Sequence, residues 1–362
     1  MNNRRNRPAR TRAATIKDVA LEAGVSPMTV SRVINGKANV RPATRQRIER
    51  AIRKVDYRPN IGARALSGRQ TYQFLMLYNN PNIGWMGELL IGVMNACRLI
   101  GYHLSIEAVG NFEARAFRSS VKPADVAGLI DGSRVDGVIL PPPICFDPTV
   151  LEAIKEEGIP CVRFAGTPMH NLRLRVSIDN CAAGYEMTNH LIGLGHENIA
   201  IIKGPEGYVA SVLRYEGFAA AMREHGLKVP RSNVTSGNFD VQSGNECARR
   251  LLRQDKRPTA IFASNDEMAA GALAAAQEAK ISVPHQLSIA GFDDAHIALS
   301  VWPPLTTIRQ PLRQMGTEAV ELLANHIRQS RDDHEPAGPS SLTLDFELIV
   351  RKSTARCPDR VQ

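Results

Sequence analysis

No apolar run in these 362 residues reaches the roughly 18 to 20 needed to cross a bilayer. The basic N-terminus also lacks the apolar core of a secretion signal. Six cysteines, Cys97, Cys145, Cys161, Cys181, Cys247 and Cys357, are scattered without a C-x-x-C pair. That pattern argues against disulfides and zinc sites and for reduced, buried thiols, so a cytoplasmic location is expected. Catalytic signatures are missing as well. There is no G-x-S-x-G elbow, G-x-G-x-x-G turn or P-loop, and His190 with His196 lacks further metal ligands at useful spacing. Asp293 and Asp294 imitate paired carboxylates, yet neighbours on a strand point to opposite faces. The expectation is a binding protein without catalytic residues, metal or cofactor.

What is present in excess is local positive charge. Residues 1–72 hold 17 Lys and Arg against 4 Asp and Glu, a net +13, and the remainder holds 28 against 32, a net −4. A positive end on a mildly acidic body suits a polyanion such as duplex DNA, whose phosphates release counterions when neutralised. Residues 1–14 read as a disordered basic arm, for which a merely solvated tail is the favoured account and a phosphate-grazing role the most that is expected.

Within that end, TIKDVALEAGVSPMTVSRVIN (15–35) carries two short helical patterns meeting at Gly24. Thr15 and Asp18 form an [ST]-x-x-[DE] start, and Val19, Ala20 and Ala23 supply the apolar spacing. Ser26 is a good N-cap, Pro27 occupies a first-turn position where it loses no hydrogen bond, and a second helix follows to Ile34. The pattern predicts a helix-turn-helix, whose second helix can lie in the major groove. Pro27, Met28 and Arg32 share the outer face, Val30, Val33 and Ile34 the inner one, and Thr29 and Ser31 offer hydroxyls to phosphates. An ordinary helical hairpin in a core has the same local pattern, and the charge argues against it. Pro42 opens a third helix with Ile48, Ala51, Ile52 and Val55 at helical spacing. Residues 57–69 (YRPNIGARALSGR) have little to bury, and a helix so short is marginal alone, so ordering by a partner is expected.

From Tyr72 strand-like and helical stretches alternate, which predicts parallel sheets with crossover helices. FLMLY (74–78), HLSIEAV (103–109), DGVILP (136–141) and PCVRFA (160–165) make one series. VSID (176–179), NIAIIKG (198–204), TAIFAS (259–264) and LSIAGF (287–292) make a second. A late strand is expected over 342–350. The fold expected is an all-α helix-turn-helix head plus an α/β body of two Rossmann-like lobes. Its divisions are 15–58 for the head, 59–70 for a hinge and 71–353 for the body. The first lobe takes 71–174 and 303–330, the second 175–302 and 331–353, and 354–362 is a tail.

Residue by residue, TIKDVALEAGVSPMTVSRVINGK, Y-x-PN at 57–60 and A-x-x-L at 63–66 resemble the DNA-binding end of the lactose/galactose repressor (LacI/GalR) family. NHLIGLGHENIAIIKGP (189–205), RYEGF (214–218), PTAIFASND (258–266), ISVPHQLSIAGFDD (281–294) and PPLTTIRQP (303–311) resemble its body, which implies that the two Rossmann-like lobes are of the periplasmic-binding-protein type. The resemblance implies a transcriptional regulator, a repressor, that binds a pseudo-palindromic DNA operator as a homodimer and responds to a small effector, a sugar or glycoside. It implies DNA contacts from Thr15, Pro27, Met28, Thr29, Ser31, Arg32, Asn35, Asn60, Ala63 and Leu66. Pro27 and Met28 would stand where operator preference varies, Arg32 would read bases, and Leu66 would wedge into the central step. Gly62 departs from the better helix formers expected there. The C-terminal end has no heptads, so a dimer rather than a tetramer is expected.

For the effector, the resemblance points to Asn79, Trp85, Asn111, Arg214, Phe239, Asn265 and Asp293. Arg214 can fork to two hydroxyls, Asp293 can accept them, Asn265 can do both, and Trp85 or Phe239 can stack on a sugar ring. Each has a plainer role open to it: core for Trp85 and Phe239, helix capping for the Asn265-Asp266 pair, an ion pair for Arg214. Ala165 stands where relatives often place an aspartate, with Arg163 on the same strand face as a substitute contact or a structural ion-pair partner. A transport receptor shares such a body, but the basic head and the missing secretion signal argue against one.

Overall fold

The computed structural model describes residues 14–34, 40–55, 57, 71–79, 82–109, 122–166, 172–330 and 340–357. Their contacts divide the chain into two compact units, Met1–Tyr72 and Gln73–Gln362. Asn35, Asn60, Ala63, Leu66 and Asn111, and the expected hinge over 59–70, lie outside the described residues.

The first unit has three helices, α1 (Ile16–Ala23), α2 (Pro27–Ile34) and α3 (Pro42–Lys54). Asp18 starts α1 by accepting both the amide and the hydroxyl of Thr15, each at 2.7 Å. Such caps contribute about 1 kcal/mol. Gly24 ends α1 at φ 60°, a left-handed conformation that a side chain would strain. Ser26 then caps α2, its Oγ accepting the Thr29 amide at 3.2 Å. Val19, Ala20, Ala23, Val30, Val33, Ile48 and Ala51 make one small core, and Lys54 meets Glu22 at 2.7 Å to tie α3 to α1. The Ile34 side chain is outside the described set.

The second unit holds two parallel sheets. The first runs β11 (Ser341–Leu344), β5 (Arg175–Ile178), β4 (Cys161–Arg163), β3 (Gly137–Leu140), β1 (Gln73–Tyr78), β2 (His103–Ala108). The second runs β7 (Val234–Ser236), β6 (Ile199–Lys203), β8 (Ala260–Ala263), β9 (Ser288–Ala290). A short antiparallel pair, β10 (Thr307–Arg309) with β12 (Glu347–Ile349), lies beside β9 through bridges Ala290–Thr306 and Asp293–Arg309. β1, β3, β6 and β8 are buried along nearly their whole length, as strands covered on both faces must be.

Helices complete the layers. α4 (Ile83–Ile100) packs on α12 (Leu312–Gln329) in the first lobe, with α5 (Pro123–Ser133) and α6 (Pro148–Glu156) against each other. In the second lobe α7 (Asn180–Gly193) packs on α8 (Val209–Glu224), and α9 (Val241–Leu252) on α10 (Asp266–Glu278), with α11 (His296–Ser300) against α10. Among the described residues no helix is long and apolar enough to cross a membrane.

Four expectations need correction. The 175–178 strand, expected to open the second lobe, pairs with β4 in the first sheet. The late strand is two strands: β11 extends the first sheet on β5, while β12 pairs with β10. Residues 303–309, expected in the first lobe, pack against the second, where Leu305 is part of its core. The expected tail also starts too early, since the Cys357 amide donates to the Leu194 carbonyl at 2.8 Å and Thr354 bonds Thr306. Parallel pairing is non-local, so neither a strand's composition nor its position in the chain says which sheet it joins.

Candidate functional site

On the first unit, α2 presents Pro27, Met28 and Arg32 outward, with Met28 66% exposed, and turns Val30 and Val33 into the core. Arg32 reaches over Met28, Nη2 standing 3.9 Å from the sulfur, as residues four apart on a helix do. Thr29 is half-buried and exchanges a hydroxyl bond with Ser26 at 2.8 Å; Ser31 is half-buried as well. The Thr15 hydroxyl proton is committed to Asp18, leaving its oxygen to accept. The face as a whole offers one exposed guanidinium flanked by apolar side chains.

On the second unit, the carboxyl ends of the parallel strands converge on one cleft, where ligands of such sheets bind. Asn79 follows β1, Pro142 follows β3, Phe164 and Ala165 follow β4, and Asn180 follows β5. From the other lobe, Tyr208 comes after β6, Asn265 after β8 and Asp293 after β9. The pocket in this cleft, lined from both lobes but not by Asn79, Phe239, Asn265 or Asp293, encloses about 490 Å³ of free space, its mouth included. Trp85, Phe146, Phe164, Ala165 and Met315 give it an apolar side, and Ser177, Asn180, Arg214 and Gln310 give it polar edges.

Arg214 is the centre of its polar end. Nε donates to Asn180 Oδ1 at 2.8 Å, Nη1 donates to the Ser264 carbonyl at 2.5 Å, and Nη2 stands 3.8 Å from Asp293 Oδ1. Burial lowers the Arg214 pKa, opposed by Asp293. Asp293 is buried too, at φ 108°, and accepts Gln310 Nε2 at 2.6 Å. Burial pushes Asp293 up to about 6, against the pull of Arg214 and Gln310. The neighbouring Asp294 turns away to Arg309 at 2.7 Å and Arg351 at 2.5 Å. Both aspartates lie beyond β9 with positive φ, so their divergence comes from this turn, not from strand alternation.

Other expected contacts are engaged elsewhere. Asn265 is the N-cap of α10: Oδ1 accepts the Met268 amide at 3.0 Å, and Nδ2 donates to the Phe239 carbonyl at 3.0 Å and to Glu267 at 2.8 Å. Asp266 is thus inside the helix, buried, and its carboxylate accepts Thr307 Oγ1 at 2.7 Å and the Ala295 amide at 2.8 Å. Phe239 belongs to the second lobe's core and meets Tyr208 edge-on at 5.0 Å. Trp85 is also 92% covered, yet lines the pocket. Arg163 does not line it. Fully buried, it donates Nη1 to the Cys145 carbonyl at 3.1 Å, and burial lowers its pKa. Asn180 and Glu267 are ordinary polar residues with no motif to mark them, and Gln310, though inside PPLTTIRQP, is not singled out by that stretch. Among the described residues no cluster of His, Cys, Asp and Glu could hold a metal ion.

Comparison with known proteins accounts for both units. Residues 15–60 match the model of bacterial regulatory proteins of the lacI family, and 188–354 match the periplasmic binding protein-like domain. The HTH-type transcriptional repressor PurR of Histophilus somni (strain 2336) is 34% identical over 345 residues, 94% of this chain and 98% of its own. Among solved structures, a complex of transcriptional regulator CelR with cellobiose is 32% identical, with TM-score 0.69, over 94% of this chain and 99% of that one. The lac repressor dimer bound to operator and the anti-inducer ONPF is 26% identical, with TM-score 0.69, over 95% and 100%.

Proposed function

This chain belongs to the LacI family of bacterial regulatory proteins, and from that membership we propose that it is a repressor whose operator affinity is set allosterically by a sugar or glycoside in its cleft. It acts as a homodimer on a pseudo-palindromic operator, so that two copies of α2 read two half-sites. Arg32 takes a guanine edge, while Pro27 and Met28 read thymine methyls and groove shape. Thr15, Thr29 and Ser31 hold phosphates.

In the cleft, Arg214, Asp293 and Gln310 form the polar end that meets ligand hydroxyls, and Trp85 stacks on the apolar face of the ring. Asn79 adds an edge contact. Ligand binds one arrangement of the two lobes better than the other, and by linkage it shifts the population competent for operator. The observation that carries this reading is the pairing, in one chain, of an exposed Arg32 face on a capped α2 with a cleft built around a buried arginine.

A selection of genomic fragments by the full-length protein tests it, followed by a gel shift at two salt concentrations and a thermal-shift screen of sugars beginning with cellobiose. A sequence-selective, salt-sensitive shift and a sugar that raises the unfolding temperature are expected. Binding without sequence preference would remove the regulator reading, and turnover of a sugar to product would replace it with an enzyme.

A further inference from the structure

Glu267 sits in the first turn of α10, where a carboxylate ordinarily does no more than complement the helix dipole. Here its side chain crosses the cleft. Oε2 accepts Asn82 Nδ2 of the first lobe at 3.2 Å and Asn265 Nδ2 of its own lobe at 2.8 Å. Asn82 is the N-cap of α4, its Oδ1 accepting the Trp85 amide at 3.0 Å, and Asn265 is the N-cap of α10. One carboxylate oxygen therefore ties the caps of two helices that belong to different lobes. At the same end of α4, a Cβ placed on Gly84 would stand 3.4 Å from Glu267 Oε1 and 3.6 Å from the Ala295 Cβ, so the lobes are in contact there.

The surroundings work against a negative charge at this point. Burial pushes Glu267 up to about 7, the Asp293 carboxylate adds to the effect, and its own backbone hydrogen bond and the Asn82 bond oppose it. The groups around it divide by element. Asp293 comes from the turn after β9, and Asp266 from Glu267's own helix. Asn82 and Gly84 bring no charge from α4, and Arg214 of α8 is turned to Asp293. Because both amide donors use Oε2, a proton can reside on Oε1 with both hydrogen bonds kept.

We propose that Glu267 is a protonation-dependent latch between the two lobes: closing the cleft takes up one proton at Oε1, so closure and ligand affinity both strengthen as pH falls. The proposal rests on reading the cleft as the ligand site. In an open cleft the carboxyl is solvated and titrates in the ordinary carboxylate range, whereas in the closed one it titrates higher. Closed-state stability is thus complete at acid pH and is lost as pH rises through the closed-state value. For one proton, the closed-to-open ratio changes by about tenfold between pH 6 and 8.

The chain supplies its own probe, since its two tryptophans are Trp85 beside the latch and Trp302, which is 80% exposed. In full-length Trp302→Phe protein, Trp85 emission is followed from pH 8 to 5.5. A one-proton transition is expected with Glu267 present and none with Glu267→Gln, whose neutral side chain keeps an oxygen for both donors. Persistence of the transition in Glu267→Gln, or its absence in the parent, overturns the latch. Cellobiose titrations add a second arm, with affinity expected to rise about tenfold from pH 8 to 6 in the parent and to stay flat in Glu267→Gln. Cellobiose bound with pH-independent affinity in the parent overturns the latch and leaves the effector reading standing. If neither cellobiose nor any screened sugar binds, the effector reading falls, and the emission transition alone decides the latch.

Discussion

The guanidinium of Arg214 lies over the ring of Phe292, 3.5 Å from its centre, with Nη2 turned toward Asp293. The ring seals one face of a charge whose edges are taken by Asn180, Ser264 and Asp293. Of the two roles the sequence leaves open, the ion pair is present, and the same side chain still lines the pocket. These roles coexist because a guanidinium presents five donors in one plane.

Arg214→Ala therefore has two expected consequences. Removing one partner of a buried pair should cost about 3 to 5 kcal/mol of unfolding free energy. Response to the sugar chosen by thermal shift should vanish while binding to operator is kept. Denaturant unfolding and a gel shift with and without sugar check both, and a normal sugar response would remove Arg214 from the effector site.

The seat of Arg214 is set by two glycines. A Cβ on Gly217 would lie 2.0 Å from the Cys181 carbonyl oxygen, and one on Gly184 would lie 2.3 Å from that of Arg214, so α7 and α8 meet backbone to backbone. Gly217→Ala should force the helices apart and destabilise the protein by about 1 to 3 kcal/mol, an overpacking cost. Sugar affinity should weaken with it because α8 carries Arg214. An unchanged melting temperature would show that the helices absorb the methyl by sliding.

Much of the first unit was legible because its determinants are local. Thr15 and Asp18, Gly24, and Ser26 with Pro27 each act within one turn, and each stands where the pattern puts it. In the body, alternating apolar stretches foretell strands but carry no label of partner, which is why Arg175–Ile178 and Ser341–Leu344 go to the first sheet unannounced. The cleft was legible in part. Asp293 and Arg214 come together, whereas Arg163 is buried outside the pocket lining and donates to the Cys145 carbonyl. Glu267 escaped notice because a first-turn acid is commonplace, and only the fold brings Asn82 to it.

On the face proposed to read DNA, Arg32→Ala should lower specific binding by about 1 to 3 kcal/mol, the value of a bidentate contact to a base. Nonspecific binding should fall much less. Competition titrations with operator variants measure it, and an operator preference identical to the parent's would end the assignment.

His196 links acid stability to the chain's C-terminal end. Its ring bonds Thr259 at 2.9 Å, Ser288 at 3.0 Å and the Ala355 carbonyl at 3.0 Å. The carbonyl requires the proton on Nε2, so in the neutral ring Nδ1 accepts from Thr259. Burial lowers the His196 pKa, with His190 adding to it and the Ala355 bond opposing. A depressed histidine favours the neutral form in the folded state, so stability is present above the ordinary histidine range and is lost as pH falls through it. Unfolding midpoints should drop below about pH 6.5, and His196→Gln should flatten that slope. An equally steep slope in the variant would place its origin elsewhere.

In the proposed function, occupancy of the cleft sets affinity for DNA. Fluorescence anisotropy of the selected operator duplex with full-length protein tests it most directly, with and without saturating cellobiose or whichever sugar raises the unfolding temperature. A change of about 5- to 150-fold in operator affinity is expected, with nonspecific duplex unaffected. Operator affinity that stays the same while the sugar is demonstrably bound would contradict it.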